Sequence, residues 1–356
     1  MRLLLAGGGT GGHVFPAVAL AERLQETTPA AEVLFVGTTR GIEARVLPQL
    51  GFPLETIDIS GWMGRGLRGK LTVPPQLLRS VWQSRRILAR FRPDVVVGVG
   101  GYASAPVLIA ARLAGLPTLI HEQNAWPGLT NRLLSRWTDR VCLSFADADC
   151  AFHRGRTVLT GNPLRRGMEE CPPLPNGDPQ LLVFGGSRGA RAINQAVVAA
   201  LPHLAPLQGR LRIRHQTGDE DLEATREGYL RAGWEPSGVV PFINDMADAY
   251  AQAHLVVCRA GATTIAELTA CGRPAILIPY PYAAADHQSA NARALARRGA
   301  GLMLPQQDLN AELLGRMVGD LLADRERLEM MGGVAHSLAL RGAADRILAE
   351  CRAIKR

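Results

Sequence analysis

The feature that most constrains this chain is an alternation. Short runs rich in Val, Leu and Ile recur between amphipathic helical patterns, and the strand-like runs repeatedly end in clusters of glycine. The pattern predicts strands at 2–6, 33–36, 95–99, 117–121 and 140–144, with helices between them at 16–26 and 106–114. A second series predicts strands at 181–184, 211–216, 239–242, 255–258, 275–279 and 301–304. Its helices fall at 191–201, 244–253, 264–271, 286–298 and 310–323, and a last helical segment spans 337–353. A β-α-β-α order of this kind forms parallel sheets covered by helices on both faces, an α/β fold. Between 159 and 180 the chain carries Pro163, Pro172, Pro173, Pro175 and Pro179, which break regular structure and predict a boundary between two Rossmann-like halves.

Composition narrows the class. With 47% hydrophobic and 20% charged residues among 356, the chain has enough apolar mass for two cores, which excludes a disordered protein. Six cysteines without a CxxC pair read as thiols in a reducing compartment. The apolar uncharged run 95–111 is shorter than the ~20 residues of a membrane helix and is interrupted by Gly100, Gly101 and Pro106. The net charge of +8 is uneven. Residues 1–160 hold eighteen basic and eleven acidic side chains, and 59–93 hold no acid at all. That stretch carries Arg65, Arg68, Lys70, Arg79, Arg85, Arg86, Arg90 and Arg92. A helix predicted at 76–91 places Leu77, Val81 and Leu88 on one stripe, with Leu78, Trp82 and Ile87 nearby. Such a cationic, partly apolar surface suits an anionic lipid layer. Alternatively, the stripe faces the core and the arginines are simply solvated. A nucleic-acid partner would also suit the charge, but aromatics are few and no RNA- or DNA-binding motif is present, so none is expected.

Three glycine turns follow strands: GGGTGGH at 7–13, GVGGYAS at 98–104 and GGSRGAR at 185–191. Glycine permits tight turns, and this alone explains any one of them. Three together favour close approach of anionic or sugar groups to the N–H groups of helix N-termini. The first turn fits GxGxxG, but the second strand ends FVGTT without the acid that would hold a dinucleotide ribose. In the second half, Thr263 or Thr264 is expected to cap a helix. Glu267, on its first turn, would hold ribose hydroxyls or merely complement the helix dipole. Gln288 and Asn291 are three apart and share a face suited to sugar hydroxyls. The acids Asp147, Asp149 and Asp219–Asp221 read as helix-start or solvated side chains, so no metal and no cofactor is expected.

Taken together, GGGTGGHVFPA, GGYAS, HEQNAWPG, GNPLR, GGSRGAR, and CRAGATTIAE followed by DHQSAN resemble the MurG family, the bacterial UDP-N-acetylglucosamine transferases that convert lipid I to lipid II in peptidoglycan synthesis. The likeness spans nearly the whole chain. It implies a GT-B fold, two Rossmann-like domains facing across a cleft: an acceptor- and membrane-binding domain over 1–163 and a UDP-GlcNAc domain over 164–340. Residues 341–356 would form a helix returning to the first domain. It also implies an inverting, metal-independent reaction on the cytoplasmic face of the membrane, with UDP-GlcNAc, lipid I and anionic inner-leaflet lipids as partners. By motif, Ser187 would meet the nucleotide phosphates, and Arg165 and Ile243 would line the uracil and ribose region. Ala262, Thr263, Thr264, Ile265, Ala266 and Glu267 would hold the α-phosphate, ribose and part of the sugar. Gln288 would hold GlcNAc hydroxyls, and Thr10, Gly11, Gly12 and Asn124 would close on the sugar. His13 is the expected general base, Glu122 its competitor, and His121 structural. The segment Tyr282–Ala285 and His287 depart from the family pattern, which touches the finer sugar contacts. Other UDP-sugar enzymes of this architecture, a 2-epimerase or a transferase with a soluble acceptor, are the alternative.

Overall fold

The computed structural model describes residues 1–59, 73–153, 155–186 and 189–356. They form two compact units, Met1–Arg165 with Gly342–Arg356, and Arg166–Arg341.

In the first unit, β1 (Arg2–Gly7), β2 (Glu32–Gly37), β3 (Leu54–Thr56), β4 (Val95–Gly100), β5 (Thr118–Glu122), β6 (Arg140–Leu143) and β7 (Thr157–Leu159) make a parallel sheet in the order β3-β2-β1-β4-β5-β6-β7. Its helices are α1 (Gly11–Thr27), α2 (Glu43–Gln49), α3 (Val73–Phe91), α4 (Ser104–Leu113) and α5 (Leu129–Leu134). Successive strand residues point to opposite faces, and both faces are buried. Leu3, Leu5, Val95 and Val97 join Val14, Ala17, Ala21 and Leu24 of α1 in one cluster. Leu4, Ala6 and Val96 join Ile87, Leu88, Val107 and Leu108 in another. This two-sided burial is why the strands read as continuous apolar runs. The chain order reverses between β1 and β4, so the first and second glycine turns lie side by side at the carboxyl ends of adjacent strands, the place where open α/β sheets bind ligands.

The second unit repeats the plan. It uses β8 (Gln180–Phe184), β9 (Arg212–Gln216), β10 (Val239–Val240), β11 (Leu255–Cys258), β12 (Ala275–Leu277) and β13 (Gly301–Met303), in the order β10-β9-β8-β11-β12-β13. Around it lie α6 (Arg191–Ala200), α7 (Leu222–Arg231), α8 (Met246–Gln252), α9 (Ala262–Ala270), α10 (His287–Ala296), α11 (Ala311–Ala323) and α12 (Arg325–Ser337). The switch point lies between β8 and β11, above which the third glycine turn and the start of α9 sit.

Two expectations need correction. The helical segment 337–353 is not continuous: α12 ends at Ser337, and α13 (Ala343–Ile354) starts after Gly342, whose φ of +67° stops a right-handed helix. The strand expected at 239–242 stops at Val240, because Pro241 has no N–H to continue the ladder. Helix α13 belongs to the first unit. Ile347, Leu348 and Cys351 are buried in the cluster around α1. Around that seam Arg23 donates to both carboxylate oxygens of Asp345 (2.7 and 3.0 Å), Arg140 pairs with Glu350 (3.0 Å), and the Arg346 guanidinium donates twice to the Thr160 carbonyl (2.9 and 2.7 Å).

Candidate active site

The first two glycine turns are packed back to back. A Cβ on Gly7 would lie 2.5 Å from the Gly100 carbonyl, and one on Gly101, at φ +78°, would collide with the Gly8 carbonyl. These glycines therefore serve contact between the turns, which corrects the reading that ligand approach demands them. Gly9 and Gly12 differ: beside Gly9 there is open space, and Gly12 has only the Thr10 hydroxyl at 3.8 Å. Thr10 is the N-cap of α1, in extended conformation with no side-chain capping bond, and its carbonyl accepts from the His13 and Val14 N–H groups. Helix starts leave their first N–H groups without intrahelical partners, so the α1 N-terminus offers donors at Gly11 and Gly12.

One residue of this turn escaped the sequence reading. Glu43, at the start of α2, is almost fully buried. Its carboxylate accepts from the Gly9 N–H (2.8 Å), the Thr38 N–H (2.9 Å) and the Thr38 hydroxyl (2.9 Å), tying the first turn to the end of β2. The signal was an acid opening a helix just beyond the position where a dinucleotide fold would carry its ribose-binding acid.

The HEQN segment follows β5. Gln123 meets the His13 Nδ1 through its Oε1 (3.1 Å), and its amide nitrogen donates to the Val99 carbonyl (3.0 Å) and lies 3.1 Å from the His121 Nδ1. His121 places its Nε2 against the Gly161 carbonyl (3.1 Å), and burial holds its pKa down to about 4, so it is a neutral structural residue. Glu122 is buried too. Its two oxygens accept from the Asn124 N–H (2.9 Å) and side-chain amide (3.2 Å), the Gly128 N–H (3.1 Å) and the Asn131 amide (2.8 Å). A carboxylate with four donors and no solvent exposure folds its own loop. This geometry argues against Glu122 as the general base, and it binds Asn124 to the same loop.

In the second unit, Ser187 lies outside the described residues. The rest of its turn is braced from below. Gln216 donates to the Gly186 carbonyl (2.9 Å), and a Cβ on Gly189 would collide with the Thr217 carbonyl. Thr217 is in turn held by Asn194, whose amide nitrogen donates to the Thr217 carbonyl (3.0 Å) and to Asp221 (3.0 Å). The Asn194 Oδ1 accepts from His215 Nε2 (3.1 Å), and His215 Nδ1 meets the Tyr229 hydroxyl (3.1 Å). Burial pushes the His215 pKa down to about 3 and the Tyr229 hydroxyl up.

Helix α9 corrects another expectation. Its N-cap is Gly261, and no side chain caps it; Thr263 and Thr264 lie inside the first turn, and Glu267 in the second. Among the described residues the buried Thr263 Oγ1 has no hydrogen-bond partner. Ile265 and Glu267 are buried, Ala262 also, and Ala266 is half-buried. Glu267 accepts from the Tyr250 hydroxyl (3.2 Å), while the Tyr250 ring meets Phe184 edge-on. The Gln288 Oε1 accepts from the Tyr280 N–H (2.9 Å) and the Ala260 N–H (3.3 Å), and Asn291 donates to the Ala260 carbonyl (3.1 Å). Both amides thus fix the loops after β11 and β12. Just before them, Ala285 and Asp286 are two consecutive non-glycine residues at φ +52°, where the sequence departs from the family pattern. Ile243 is buried in this unit, whereas Arg165 belongs to the first unit and sits over the Phe15 ring, 5.4 Å from its centroid.

Residues 3–143 match the glycosyltransferase family 28 N-terminal domain, and residues 180–347 match the glycosyltransferase family 28 C-terminal domain. The chain belongs to glycosyltransferase family 28. Over 352 residues it is 67% identical to a UDP-N-acetylglucosamine–N-acetylmuramyl-(pentapeptide) pyrophosphoryl-undecaprenol N-acetylglucosamine transferase of Syntrophotalea carbinolica, covering 99% of this chain and 98% of that one. A protein of the same name from Geobacter metallireducens is 51% identical over 362 residues, covering 100% and 99%. The crystal structure of Acinetobacter baumannii MurG superposes with a TM-score of 0.79 at 35% identity, covering 99% of each chain. This is a glycosyltransferase of the MurG family, with the α/β architecture of two parallel-sheet Rossmann-like units.

In this family 28 member, α3 carries the cationic stretch as far as it is described. Arg65, Arg68 and Lys70 lie outside the described residues. Ile87 and Leu88 are buried, so the inner stripe faces the core. The outer face carries exposed Leu78 and Trp82, with the Arg86 guanidinium 3.5 Å above the Trp82 ring, and Arg85 beside them. Arg79 is bound to Asp58 (2.8 Å) and Arg90 to Glu55, so these two are not bare cations. Of the acidic clusters, Asp147 and Asp149 lie in a short 3-10 turn, where Asp149 accepts from Thr157. In the other, Asp221 and Glu220 pair with Arg191. No helix among the described residues is long and apolar enough to cross a membrane.

Proposed function

We propose that this chain transfers GlcNAc from UDP-GlcNAc to the 4-hydroxyl of the MurNAc-pentapeptide of undecaprenyl-pyrophosphoryl lipid I, giving lipid II with inversion at the anomeric carbon and without a metal. The observation that carries the reading is the full-length likeness to transferases named for this donor and acceptor. The geometry of each unit supports a division of labour. In the second unit, the uncapped start of α9 and the partnerless Thr263 hydroxyl supply donors for the nucleotide phosphates, together with Ser187 and the start of α6. Glu267, oriented by Tyr250, accepts from the ribose hydroxyls. Ile243 is assigned to the base and ribose by its motif. Gln288 has its oxygen engaged by backbone N–H groups, so it meets the sugar through its amide donors.

In the first unit, Thr10, Gly11, Gly12 and Asn124 face the sugar, and His13 is the general base. The acceptor O–H loses its proton to His13 as its oxygen bonds to the anomeric carbon. The bond from that carbon to the UDP oxygen breaks, and the growing charge on the diphosphate is met by helix N-termini. His13 is preferred to Glu122 because the Glu122 oxygens are occupied by four donors. The protein works as a peripheral protein on the cytoplasmic face. There Trp82, Arg85 and Arg86, with Arg65, Arg68 and Lys70, meet anionic inner-leaflet lipids.

The test is UDP release from UDP-GlcNAc with a lipid I analogue, in EDTA. Release is expected only with acceptor, and NMR of the product should show a β linkage. Release without acceptor would favour an epimerase-like enzyme, and loss of turnover in EDTA would overturn the metal-free mechanism.

A further inference from the structure

The side chains of His13, Gln123 and His121 form a chain whose hydrogen positions are dictated by one group that cannot donate. The Val99 carbonyl lies 3.0 Å from the Gln123 amide nitrogen, and the His121 carbonyl lies 3.2 Å from it. Turning the Gln123 amide over would set its oxygen against both carbonyls, three acceptors with no hydrogen between them. The orientation with nitrogen toward Val99 is therefore the one the site permits. His121 agrees. Its Nε2 faces the Gly161 carbonyl and must carry the hydrogen there, which leaves Nδ1 as the acceptor for Gln123.

With the Gln123 nitrogen committed on one side, its Oε1 is the atom presented to His13 Nδ1, at 3.1 Å. An amide oxygen only accepts, so the neutral His13 ring carries its hydrogen on Nδ1 and its lone pair on Nε2. The ring is also confined sterically, since a Cβ on Gly100 would fall 2.8 Å from its Cε1 and 2.9 Å from its Nδ1.

We propose that Gln123 is a positioning residue: it holds His13 in the Nδ1–H tautomer, so that Nε2 is the nitrogen able to take a proton. Its catalytic consequence rests on the reading of His13 as the base. Free histidine favours the opposite tautomer, Nε2–H, which would present a hydrogen where the reaction needs a lone pair. Gln123 removes that competition before the acceptor arrives. It does so without a charge, whereas a carboxylate at the same point would also favour the doubly protonated ring.

The experiment uses the full-length protein with 15N-labelled histidine, and long-range 1H–15N correlation spectra assigned by comparison with His13→Asn. Wild-type His13 is expected as Nδ1–H at a pH where it is neutral. In Gln123→Met, a side chain of similar length that accepts hydrogen bonds poorly, the Nε2–H form should appear. The value of kcat should then fall by roughly tenfold to a hundredfold, no more than the 10²–10⁴ that general-base catalysis supplies. The KM for UDP-GlcNAc should stay within about twofold, since uniform binding is untouched. Gln123→Glu, which keeps an acceptor facing Nδ1, should keep the hydrogen on Nδ1 where Gln123→Met loses it, without recovery of kcat, since its second oxygen faces the Val99 and His121 carbonyls and its charge favours the doubly protonated ring. An Nε2–H signature in the wild type, or an unaltered Nδ1–H signature in Gln123→Met, overturns the proposal whatever happens to kcat. A tautomer that moves while kcat does not would uphold the role of Gln123 and instead overturn the assignment of His13 as base.

Discussion

Glu43 takes three donors in a setting almost without solvent, and two of them belong to backbone that has no other freedom to turn away. Replacing it by glutamine leaves one acceptor and turns an NH₂ toward a donor. Each buried donor left without an acceptor costs about 1–3 kcal/mol. Glu43→Gln is therefore expected to lower the urea midpoint of unfolding and to reduce kcat. Denaturation followed by steady-state assay checks both, and a variant of wild-type stability would show that Glu43 does not hold the turn. This residue was not legible in the sequence. A motif search looks for an acid at the end of β2, and Glu43 is six residues beyond it, distinguished only by what the fold brings to it. Glu122 shows the same limit from the other side. A carboxylate between two motif residues is a plausible base until the four donors around it are known. Motif residues such as His13 and Gln288 could be named from the sequence, but their tautomers, orientations and already-occupied atoms could not.

At the scale of the element, α3 has two unlike faces. Ser80, Ser84, Ile87 and Leu88 turn inward, while Leu78, Trp82, Arg85 and Arg86 remain on the surface. Charge on such a face counts only where it is not already neutralised, and Arg79 is held by Asp58. Each basic side chain near an anionic surface is worth ~1 kcal/mol. Arg85→Glu with Arg86→Glu should thus weaken binding to phosphatidylglycerol vesicles by more than tenfold, and Arg79→Glu by clearly less, as read by co-sedimentation. Equal losses in the two variants would show that the patch is diffuse. The helical period and its arginines were readable from the sequence. Which arginine was spent on an acid was not, because Asp58 lies outside the helix and is brought to it by the chain folding back after β3. The α9 start was misread for a related reason: two threonines look like caps, but glycine at 261 already supplies the extended conformation and places both inside the helix.

On the scale of the whole molecule, each unit carries a histidine kept neutral by burial, His121 near pKa 4 in the first and His215 near 3 in the second. Unfolded chains protonate histidine at about 6.5. Below that pH the unfolded state binds protons that the folded state refuses. Stability is thus complete above pH ~6.5 and falls as the pH drops toward 4 and then 3, by up to ~1.4 kcal/mol per pH unit for each histidine. Urea unfolding at pH 7.5 and pH 5.0 should show a lower midpoint at the acid value, and identical midpoints would refute the assignment. The two parallel sheets were legible because strands buried on both faces leave long apolar runs, as in 95–99 and 255–258. The destination of the last helix was not legible from its residues. An amphipathic stripe such as Ile347, Leu348 and Cys351 announces that something will cover it without saying what.

The backbone leaves the first unit at Arg165 and re-enters it at Gly342. During synthesis the second unit is therefore whole before the first has received its closing helix. A chain without α13 would leave the core around α1 without Ile347, Leu348 and Cys351, so the half made earliest is the one that closes last.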